Sequence, residues 1–328
     1  MRWGAKSLGL SRELLMVNIL SLTGGGYRGL YTARLLERME QKCGQPVGRS
    51  FDLIAGTSIG GILALATAFE VPMSDVVRRF ESHGSKIFPS WRRFTGLFRS
   101  RYSFASVGAL VDELFPAGAT LADAKHALAI PTLNLTLGKG QILKTRHKAE
   151  WERDQGLTVR QVAMATSAAP IYFPIAEIGN NLFCDGGLFA NAPDLVALHE
   201  ANMFFNASDK DVQMLSIGTM ADVAVTRHGV GLRRGVLSWL AIPKLPLIQT
   251  ILSTQEQMAL QIVSHRLSDR YLRIDSKPGQ EMHDVIGLDR AGEAARRTLL
   301  ASADQSFDAL DREKLDQFLL HIPIKWLK

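Results

Sequence analysis

The chain has 328 residues, of which 46% are hydrophobic and 21% are charged, so an intrinsically disordered or collagen-like protein is excluded. A chain of this length and apolar content can bury a large core. Its 38 lysines and arginines against 32 aspartates and glutamates give a net charge of +6, which favours an anionic partner such as a membrane surface, a nucleic acid or a small phosphate.

Nothing near the amino terminus or among the cysteines indicates export. Arg12 and Glu13 interrupt the first residues before an apolar signal-peptide region forms. Cys43 and Cys184 cannot build a disulfide framework, and no Cys/His cluster predicts a metal site. The uncharged stretch 53–69 contains several glycines and is shorter than the roughly 20 apolar residues that cross a bilayer. We therefore expect a cytoplasmic protein whose contact with a membrane, if it has one, is peripheral.

The first predicted unit is a strand, a glycine turn and a helix. Residues 17–22 form a short apolar run that ends abruptly at three glycines, residues 24–26. Apolar residues then recur at helical spacing over 30–39, and Gly44 supplies a stop. This order predicts a buried strand that leads through a tight turn into a helix.

The second unit repeats the plan. Residues 51–55 are an apolar strand candidate, 56–61 a turn and 62–69 a strongly apolar helix, which Pro72 closes. Two consecutive strand–turn–helix units predict an α/β fold with a mainly parallel sheet and helices on both of its faces.

The remaining chain continues this alternation without a Pro/Gly/Ser-rich linker. We therefore predict a single domain over residues 1–328, with a helical carboxyl-terminal part from about residue 290. Further strands are expected at 130–137, 181–184 and 212–217, and further helices at 74–82, 107–114, 158–168, 195–204, 254–267 and 292–309.

Ser58 is the first candidate for chemistry. It is the central residue of Gly56-Thr57-Ser58-Ile59-Gly60, a GxSxG pattern that is weak evidence by itself. Its context strengthens the prediction, because a serine between a buried strand and a helix lies on a tight turn that exposes its hydroxyl. The positive end of the following helix also stabilises negative charge beside it. These features are typical of a nucleophilic serine.

The glycine turn at residues 24–29, Gly-Gly-Gly-Tyr-Arg-Gly, fits two functions. It matches the GxGxxG pattern of dinucleotide-binding folds, which also requires an acidic residue at the end of the second strand. Asp52 instead lies at the start of that strand, which ends in the Gly-Thr-Ser turn. The alternative is an oxyanion hole, in which glycines let backbone amides converge on a negatively charged oxygen. We favour the oxyanion hole, with a purely structural turn as a third interpretation.

A nucleophilic serine needs a base, and histidine is the usual one. The eight histidines, at positions 83, 126, 147, 199, 228, 265, 283 and 321, form no motif. A Ser-His-Asp esterase would need a late histidine such as His283. Asp185 is better marked, because Asp185-Gly186-Gly187 follows a predicted strand and its glycines allow a close approach, although this tripeptide is also a common turn.

Together these motifs resemble those of the patatin-like phospholipase family. GGGYRG at 24–29, GTSIG at 56–60 and DGG at 185–187 occur in the family's order, and TSAAPIYFP at 166–174 and LSIGT at 215–219 are also similar to family segments. The resemblance implies a three-layer α/β/α fold and a lipid acyl hydrolase that uses a Ser-Asp dyad and no cofactor. It assigns the nucleophile to Ser58, the base to Asp185, the nucleophile turn to Gly56 and Gly60, and the oxyanion loop to Gly24, Gly25 and Gly26 with Arg28 beside them.

The size and basic charge are also similar to those of bacterial patatin-like effectors of cyclic-oligonucleotide antiphage signalling. This weaker resemblance implies activation by a cyclic dinucleotide, by the ordering of a homo-oligomer. It further implies that the enzyme degrades phospholipid at the inner face of the bacterial membrane, with no DNA or RNA polymer as a partner. A non-catalytic nucleotide-binding module stays open as an alternative.

Two segments combine basic and aromatic residues. Residues 91–102 interleave four arginines with four aromatic residues, which suits a membrane interface or a bound nucleotide. The same segment is also compatible with a solvated loop whose aromatic rings are buried. Residues 233–252 predict either a lid or membrane-docking edge, or a helix packed on the core.

Overall fold

The computed structural model describes residues 16–94, 96, 98–148, 150–221, 235–239, 246–279, 282 and 285–324. Within these residues eight strands form one sheet. The strands are β1 (Val17–Leu22), β2 (Leu53–Gly56), β3 (Ala127–Asn134), β4 (Lys139–Lys144), β5 (Ala176–Ile178), β6 (Asn181–Asp185), β7 (Val212–Ile217) and β8 (Tyr271–Ile274).

Helices connect these strands and continue to the carboxyl-terminal part. They are α1 (Gly29–Cys43), α2 (Ile59–Ala68), α3 (Met73–Ile87), α4 (Phe104–Leu114), α5 (Val159–Ser167), α6 (Gly187–Ala190), α7 (Asp194–Phe204), α8 (Val236–Trp239), α9 (Pro246–Leu267), α10 (Glu293–Asp308) and α11 (Arg312–Leu319). No helix in the described residues is both long enough and apolar enough to cross a membrane.

The sheet is parallel at its centre and antiparallel at one side. Its strand order is β5-β6-β3-β2-β1-β7-β8, and β4 pairs with β3 outside this path. The β1–β2, β1–β7, β2–β3 and β7–β8 pairs are parallel, whereas β4, β5 and β6 pair antiparallel. All six residues of β1 are buried, as expected for a parallel strand that is covered on both faces.

Alternate residues of the central strands pack into two different cores. Leu20 and Leu22 belong to the larger apolar cluster, which α1 to α5, α10 and α11 complete. Val17 and Ile19 belong to the smaller cluster, to which α7 and α9 contribute. Because neighbouring side chains of a strand point to opposite faces, this division confirms a three-layer α/β/α arrangement.

The sequence located most elements and missed the short, polar ones. The strand predicted at 212–217 is β7, and the helix predicted at 292–309 is α10 with one residue fewer at each end. The strand predicted at 130–137 begins and ends three residues earlier, because 135–138 form the turn into β4. The sequence Lys-Gly-Gln-Ile-Leu-Lys of β4 lacks a clear alternation of polar and apolar residues. Most of its residues are exposed or half-buried, which explains why this strand was missed.

Candidate active site

Ser58 and Asp185 come from two strands that share one edge of β3 and run toward each other. Ala55 of β2 pairs with Ala129, and Asp185, the last residue of β6, pairs with Thr132. Ala129 and Thr132 both pair with β4 as well, which therefore occupies the opposite edge. Three residues of β3, about 10 Å at roughly 3.3 Å per residue, separate the two attachment points. The turn that follows β2 spans this gap.

Ser58 occupies a strained turn at the amino terminus of α2. Its backbone has φ 56° and ψ −125°, a conformation that costs energy for any residue with a side chain. The turn is tight enough that a Cβ on Gly56 would lie 2.1 Å from the carbonyl oxygen of Gly60. A Cβ on Gly60 would lie 2.3 Å from the carbonyl oxygen of Leu22. Both glycines of the GxSxG pattern are therefore required by the close approach of backbone to backbone.

The hydroxyl of Ser58 donates a hydrogen bond directly to the carboxylate of Asp185. The distance from Ser58 Oγ to Asp185 Oδ2 is 2.7 Å, and Asp185 Oδ1 accepts a 2.7 Å hydrogen bond from the amide of Gly187. Burial, which leaves Asp185 only 5% exposed, outweighs both hydrogen bonds and raises the pKa of this carboxyl from 3.8 to about 6. A carboxylate with this pKa is a stronger base than an exposed one and is still ionised at neutral pH.

Thr166, the second-last residue of α5, fixes the backbone of Ser58. Its Oγ1 accepts a 2.9 Å hydrogen bond from the amide of Ser58 and donates a 2.8 Å bond to the carbonyl of Pro131 in β3. The sequence singled out the segment 166–174 but gave Thr166 no role. A hydroxyl that bridges two loops gives no signal of its own in the sequence.

The glycine turn lies beside Ser58. A Cβ on Gly24 would lie 3.2 Å from the Cβ of Ser58, so the loop runs directly past this serine. The amide of Gly24 donates to the carbonyl of Asn191, whereas the amides of Gly25 and Gly26 donate to no residue of the described chain. Arg28 is half-buried, and its Nε donates to the carbonyl of Gly25 at 3.3 Å. Two amides are therefore available to stabilise an anionic oxygen.

Helix α9 connects this loop to the turn that carries Asp185. Asn191 Nδ2 donates to Glu256 Oε2 at 2.8 Å, and the amide of Asn191 donates to Gln255 Oε1 at 3.0 Å. Gln255 Nε2 in turn donates to the carbonyl of Gly187 at 3.3 Å. Glu256 is paired with Arg273 of β8 at 3.1 Å. The sequence gave none of these positioning residues a role, since their partners lie far away along the chain.

An apolar cavity of about 90 Å³ leads to the dyad. Its walls are mainly aliphatic and aromatic side chains from α2, α3, α4, α9 and the 169–173 loop; they include Ile59, Ile62, Phe80, Ile87, Phe88, Val107, Leu110, Tyr172, Phe173, Ile248 and Leu252. An acyl chain is the substrate portion that such walls favour.

Comparison with known proteins identifies the family. The sequence model of the family described as "Patatin-like phospholipase" matches residues 20–198. The chain belongs to the patatin-like phospholipase family. It is therefore a lipid acyl hydrolase, as the motifs predicted.

Bacterial relatives match most of the chain. A cGAMP-activated phospholipase of Pseudomonas aeruginosa strain BWHPSA011 is 40% identical, covering 86% of this chain and 85% of the relative. A protein of the same name from Vibrio cholerae is 34% identical, covering 88% and 90%. A cUMP-AMP-activated phospholipase of Escherichia coli is 26% identical, covering 61% and 63%.

No histidine in the described part of this patatin-like chain hydrogen-bonds Ser58 or Asp185, while His228 and His283 lie outside it. Asp52 is also occupied elsewhere. Its Oδ2 accepts from the amide of Asn18 at 2.8 Å and lies 2.7 Å from Nε2 of His321, at the end of the sheet opposite Ser58. This position is incompatible with binding a ribose beside the glycine loop.

The segment 91–102 divides into an outer and an inner part. Trp91 and Phe98 are exposed, whereas Arg101 and Tyr102 are buried. Both buried side chains bond Oδ2 of Asp289, at 3.3 Å from Arg101 Nη1 and 2.9 Å from Tyr102 Oη. Residues 95 and 97 lie outside the described chain. The burial of Tyr102 agrees with the alternative of a loop with buried aromatic rings at this end of the segment, while Trp91 and Phe98 remain exposed.

The second segment, 233–252, contains the short helix α8 and is helical again from Pro246 onward. Ile248 and Leu252 face the cavity, while Leu247 and Ile251 on the same turns are each 39% exposed. Arg233, Arg234 and residues 240–245 lie outside the described chain. The packed-helix interpretation holds for the inner side of α9, and its outer side leaves apolar residues uncovered.

Proposed function

We propose that this enzyme cleaves carboxylic esters of membrane phospholipids, with Ser58 as the nucleophile and Asp185 as the general base. The observation that carries this proposal is the 2.7 Å hydrogen bond from Ser58 Oγ to Asp185 Oδ2 in an apolar cavity. The unengaged amides of the glycine loop beside Ser58 support it.

In the first half-reaction Ser58 Oγ attacks the ester carbonyl carbon as its proton passes to Asp185. The amides of Gly25 and Gly26 stabilise the negative charge that develops on the carbonyl oxygen. Collapse of this intermediate breaks the bond to the lysophospholipid oxygen, which leaves with the proton from Asp185. The acyl group stays on Ser58 as an ester.

In the second half-reaction water attacks the acyl-enzyme. Asp185 accepts a proton from this water, and the glycine amides again stabilise the oxyanion. The intermediate releases the fatty acid, and Ser58 Oγ recovers its proton from Asp185. Both half-reactions need a carboxylate that binds a proton and returns it, for which a pKa of about 6 is well matched.

Exposed apolar side chains support peripheral contact with a membrane. Leu247 and Ile251 are exposed on the helix whose inner residues line the cavity, and Trp91 and Phe98 are also exposed. Apolar and aromatic side chains of this kind enter the boundary between lipid headgroups and acyl chains. Binding in this orientation at the inner face of the membrane would let an acyl chain pass from the bilayer into the cavity without crossing water.

The names of the relatives support regulation by a cyclic dinucleotide. The Pseudomonas and Vibrio relatives are cGAMP-activated, and the Escherichia coli relative is cUMP-AMP-activated. We propose that a ligand of this class also activates the present enzyme, by ordering a homo-oligomer in the course of an antiphage response.

The dyad is tested by replacing its two members and measuring fatty-acid release from phospholipid vesicles with the activating nucleotide present. Ser58→Ala and Asp185→Asn should each lower the rate at least about a thousandfold, because a Ser-His-Asp enzyme loses catalysis of that order with any member of its triad. Ser82→Ala and Asp112→Asn remove the same groups from exposed positions and should leave the rate unchanged.

Labelling with a fluorophosphonate probe identifies the nucleophile directly. Peptide mapping should find the probe on Ser58 in the parent protein and on no residue in Ser58→Ala. Labelling of another serine, or substantial turnover by either dyad variant, would contradict the assignment.

A further inference from the structure

A second, larger groove lies at the amino ends of the central strands. We call it the amino-end groove. It has a volume of about 950 Å³ and is lined by Gln45, Arg49, residues 121–122 and 124–127, Thr145, Arg146, Glu152, Gln155 and residues 319–324. These residues precede β2 and β3, follow β4 or come after α11.

The groove is well separated from the catalytic dyad. Strand β2 leads from Asp52, beside the groove residue His321, to the turn that carries Ser58. Six residues at roughly 3.3 Å each make this distance about 20 Å. A ligand in the groove therefore leaves the catalytic cavity open to substrate.

Basic side chains outnumber acidic ones around the amino-end groove. Arg49, Lys125 and Arg146 line it together with two histidines, whereas Glu152 is the acidic residue of the lining. Arg49 and Lys125 both bind the neighbouring carboxylate of Glu70, at 2.8 Å each. Arg146 lies 3.5 Å from Glu152. Three full cations therefore share two carboxylates, those of Glu70 and Glu152, so a positive excess remains.

The two cations that share Glu70 keep part of their surface for another partner. The side chains of Arg49 and Lys125 are 52% and 53% exposed, whereas that of Glu70 is 8% exposed. A doubly anionic ligand that approaches from the groove would meet the cations before the carboxylate. It would add charge-assisted hydrogen bonds to side chains that are already partly ordered.

The neighbouring cavities lack this charge. A groove of about 470 Å³ beside β4 contains Lys139, Lys144 and Arg153 but also Glu150, Glu152 and Asp154. In it Arg153 is bound to Asp154 at 2.6 Å. The catalytic cavity is mainly apolar and would leave phosphodiester charges without partners, at a high cost in desolvation.

We propose that the amino-end groove binds the activating cyclic dinucleotide, with Arg49, Lys125 and Arg146 on its two phosphodiester groups. This inference rests on the nucleotide activation proposed above. Arginine suits such a ligand because a guanidinium pairs with phosphate oxygens and also stacks on the plane of a base.

The test is calorimetric titration of the full chain with cGAMP and, separately, with cUMP-AMP. Arg49→Gln and Arg146→Gln each remove one cation of the groove. Arg297→Gln removes a cation of α10 whose side chain is 77% exposed and serves as the matched control. Ser58→Ala reports whether binding depends on the dyad. Arg146 pairs with Glu152, and the two side chains are 36% and 76% exposed, so Arg146→Gln should fold normally even if Arg49→Gln does not. Thermal unfolding checks the folding of both variants.

We expect each groove variant to raise the Kd of the activating nucleotide at least about tenfold, the usual effect of losing one charge-assisted hydrogen bond. Ser58→Ala and Arg297→Gln should bind as the parent protein does. A parent protein that binds and is activated, together with folded groove variants of unchanged Kd, would overturn the assignment. If the parent hydrolyses phospholipid but neither nucleotide binds or activates it, the proposed activation fails and the groove assignment fails with it, while the hydrolase proposal stands.

Discussion

Two buried carboxylates of this protein have pKa shifts of opposite sign. Asp185 is 5% exposed and Glu200, in α7, is 3% exposed. Burial is the largest influence on both, and it raises the pKa of Asp185 to about 6. For Glu200 the hydrogen bonds from His147 and Lys144 overcome burial, so its pKa lies below the ordinary value. Nζ of Lys144 and Nδ1 of His147 lie 2.9 and 3.0 Å from Glu200 Oε2.

The comparison shows that Asp185, the proposed base, lacks a cationic hydrogen-bond donor such as the Lys144 that pairs with Glu200. The hydrogen-bond donors to Asp185 are the neutral groups of Ser58 and Gly187, which stabilise the anion less than a cation does. Its basicity is thus retained for proton transfer, at the expense of folding stability at neutral pH. Glu200 is neutralised by Lys144 and hydrogen-bonded to His147, and it joins β4 to α7, so its role is structural.

The largest effect on stability is expected at the structural carboxylate. Glu200→Gln leaves Lys144 and His147 in a buried site without their anion, and breaking a buried pair in this way costs about 3 to 5 kcal/mol. Chemical denaturation should show this loss in the free energy of unfolding at pH 7. Glu152→Gln removes a mostly exposed carboxylate and should change it by less than about 0.5 kcal/mol. Similar values for the two variants would show that the Glu200 cluster does not stabilise the fold.

The corresponding substitution at the other carboxylate, Asp185→Asn, is expected to raise the free energy of unfolding instead of lowering it. The folded pKa of Asp185, about 6, exceeds its ordinary value of 3.8. This group therefore stabilises the fold fully below pH 3.8, and that contribution is lost as the pH rises through 6. At pH 7 Asp185→Asn removes a buried charge and should raise the free energy of unfolding, by at most about 3 kcal/mol for the whole pKa difference.

Denaturation at pH 4 and at pH 7 tests this sign. The advantage of Asp185→Asn over the parent should be present at pH 7 and largely absent at pH 4, where both side chains are neutral. Asp112→Asn, at an exposed position of α4, controls for the chemical change itself. An Asp185→Asn protein less stable than its parent at pH 7 would show that the carboxylate is not strained by its burial.

The sequence marked Ser58 by a local pattern and Asp185 by resemblance. Gly56 is required by a contact with Gly60 four residues away, although Gly60 is required by a contact with Leu22 of β1, and a resemblance of three motifs supplied Asp185. The supports of the site were not predictable in this way. Thr166 bonds Ser58, and Gln255 and Glu256 bond Asn191, across 64 to 108 positions of the chain, and hydroxyl, amide and carboxyl groups on helices are common everywhere.

The parallel strands at the centre of the sheet were easier to predict from the sequence than the antiparallel strands at its side. Strands β1 and β7 are continuous apolar runs, so their burial on both faces is visible in the sequence. Strand β5 has three residues and β4 is half polar, since each lies at an edge with one face partly open to water. Strand β6, which pairs antiparallel with β3, brings Asp185 back toward Ser58. The sequence predicted a strand at 181–184 but not its direction, so the meeting of Ser58 and Asp185 needed the family resemblance to be foreseen.

The smallest of these effects concerns catalysis as a function of pH. The proposed mechanism needs ionised Asp185, so kcat/KM should fall about tenfold for each pH unit below the folded pKa. Because burial sets that pKa at about 6, the fall should begin near pH 6 instead of near pH 4, where an exposed aspartate would place it. The measurement uses a neutral soluble ester, whose ionisation and binding to a membrane do not change with pH. A rate that stays constant from pH 8 down to pH 4.5 would mean that Asp185 is as weak a base as a solvated carboxylate, and the contrast with Glu200 would then have no consequence for the reaction.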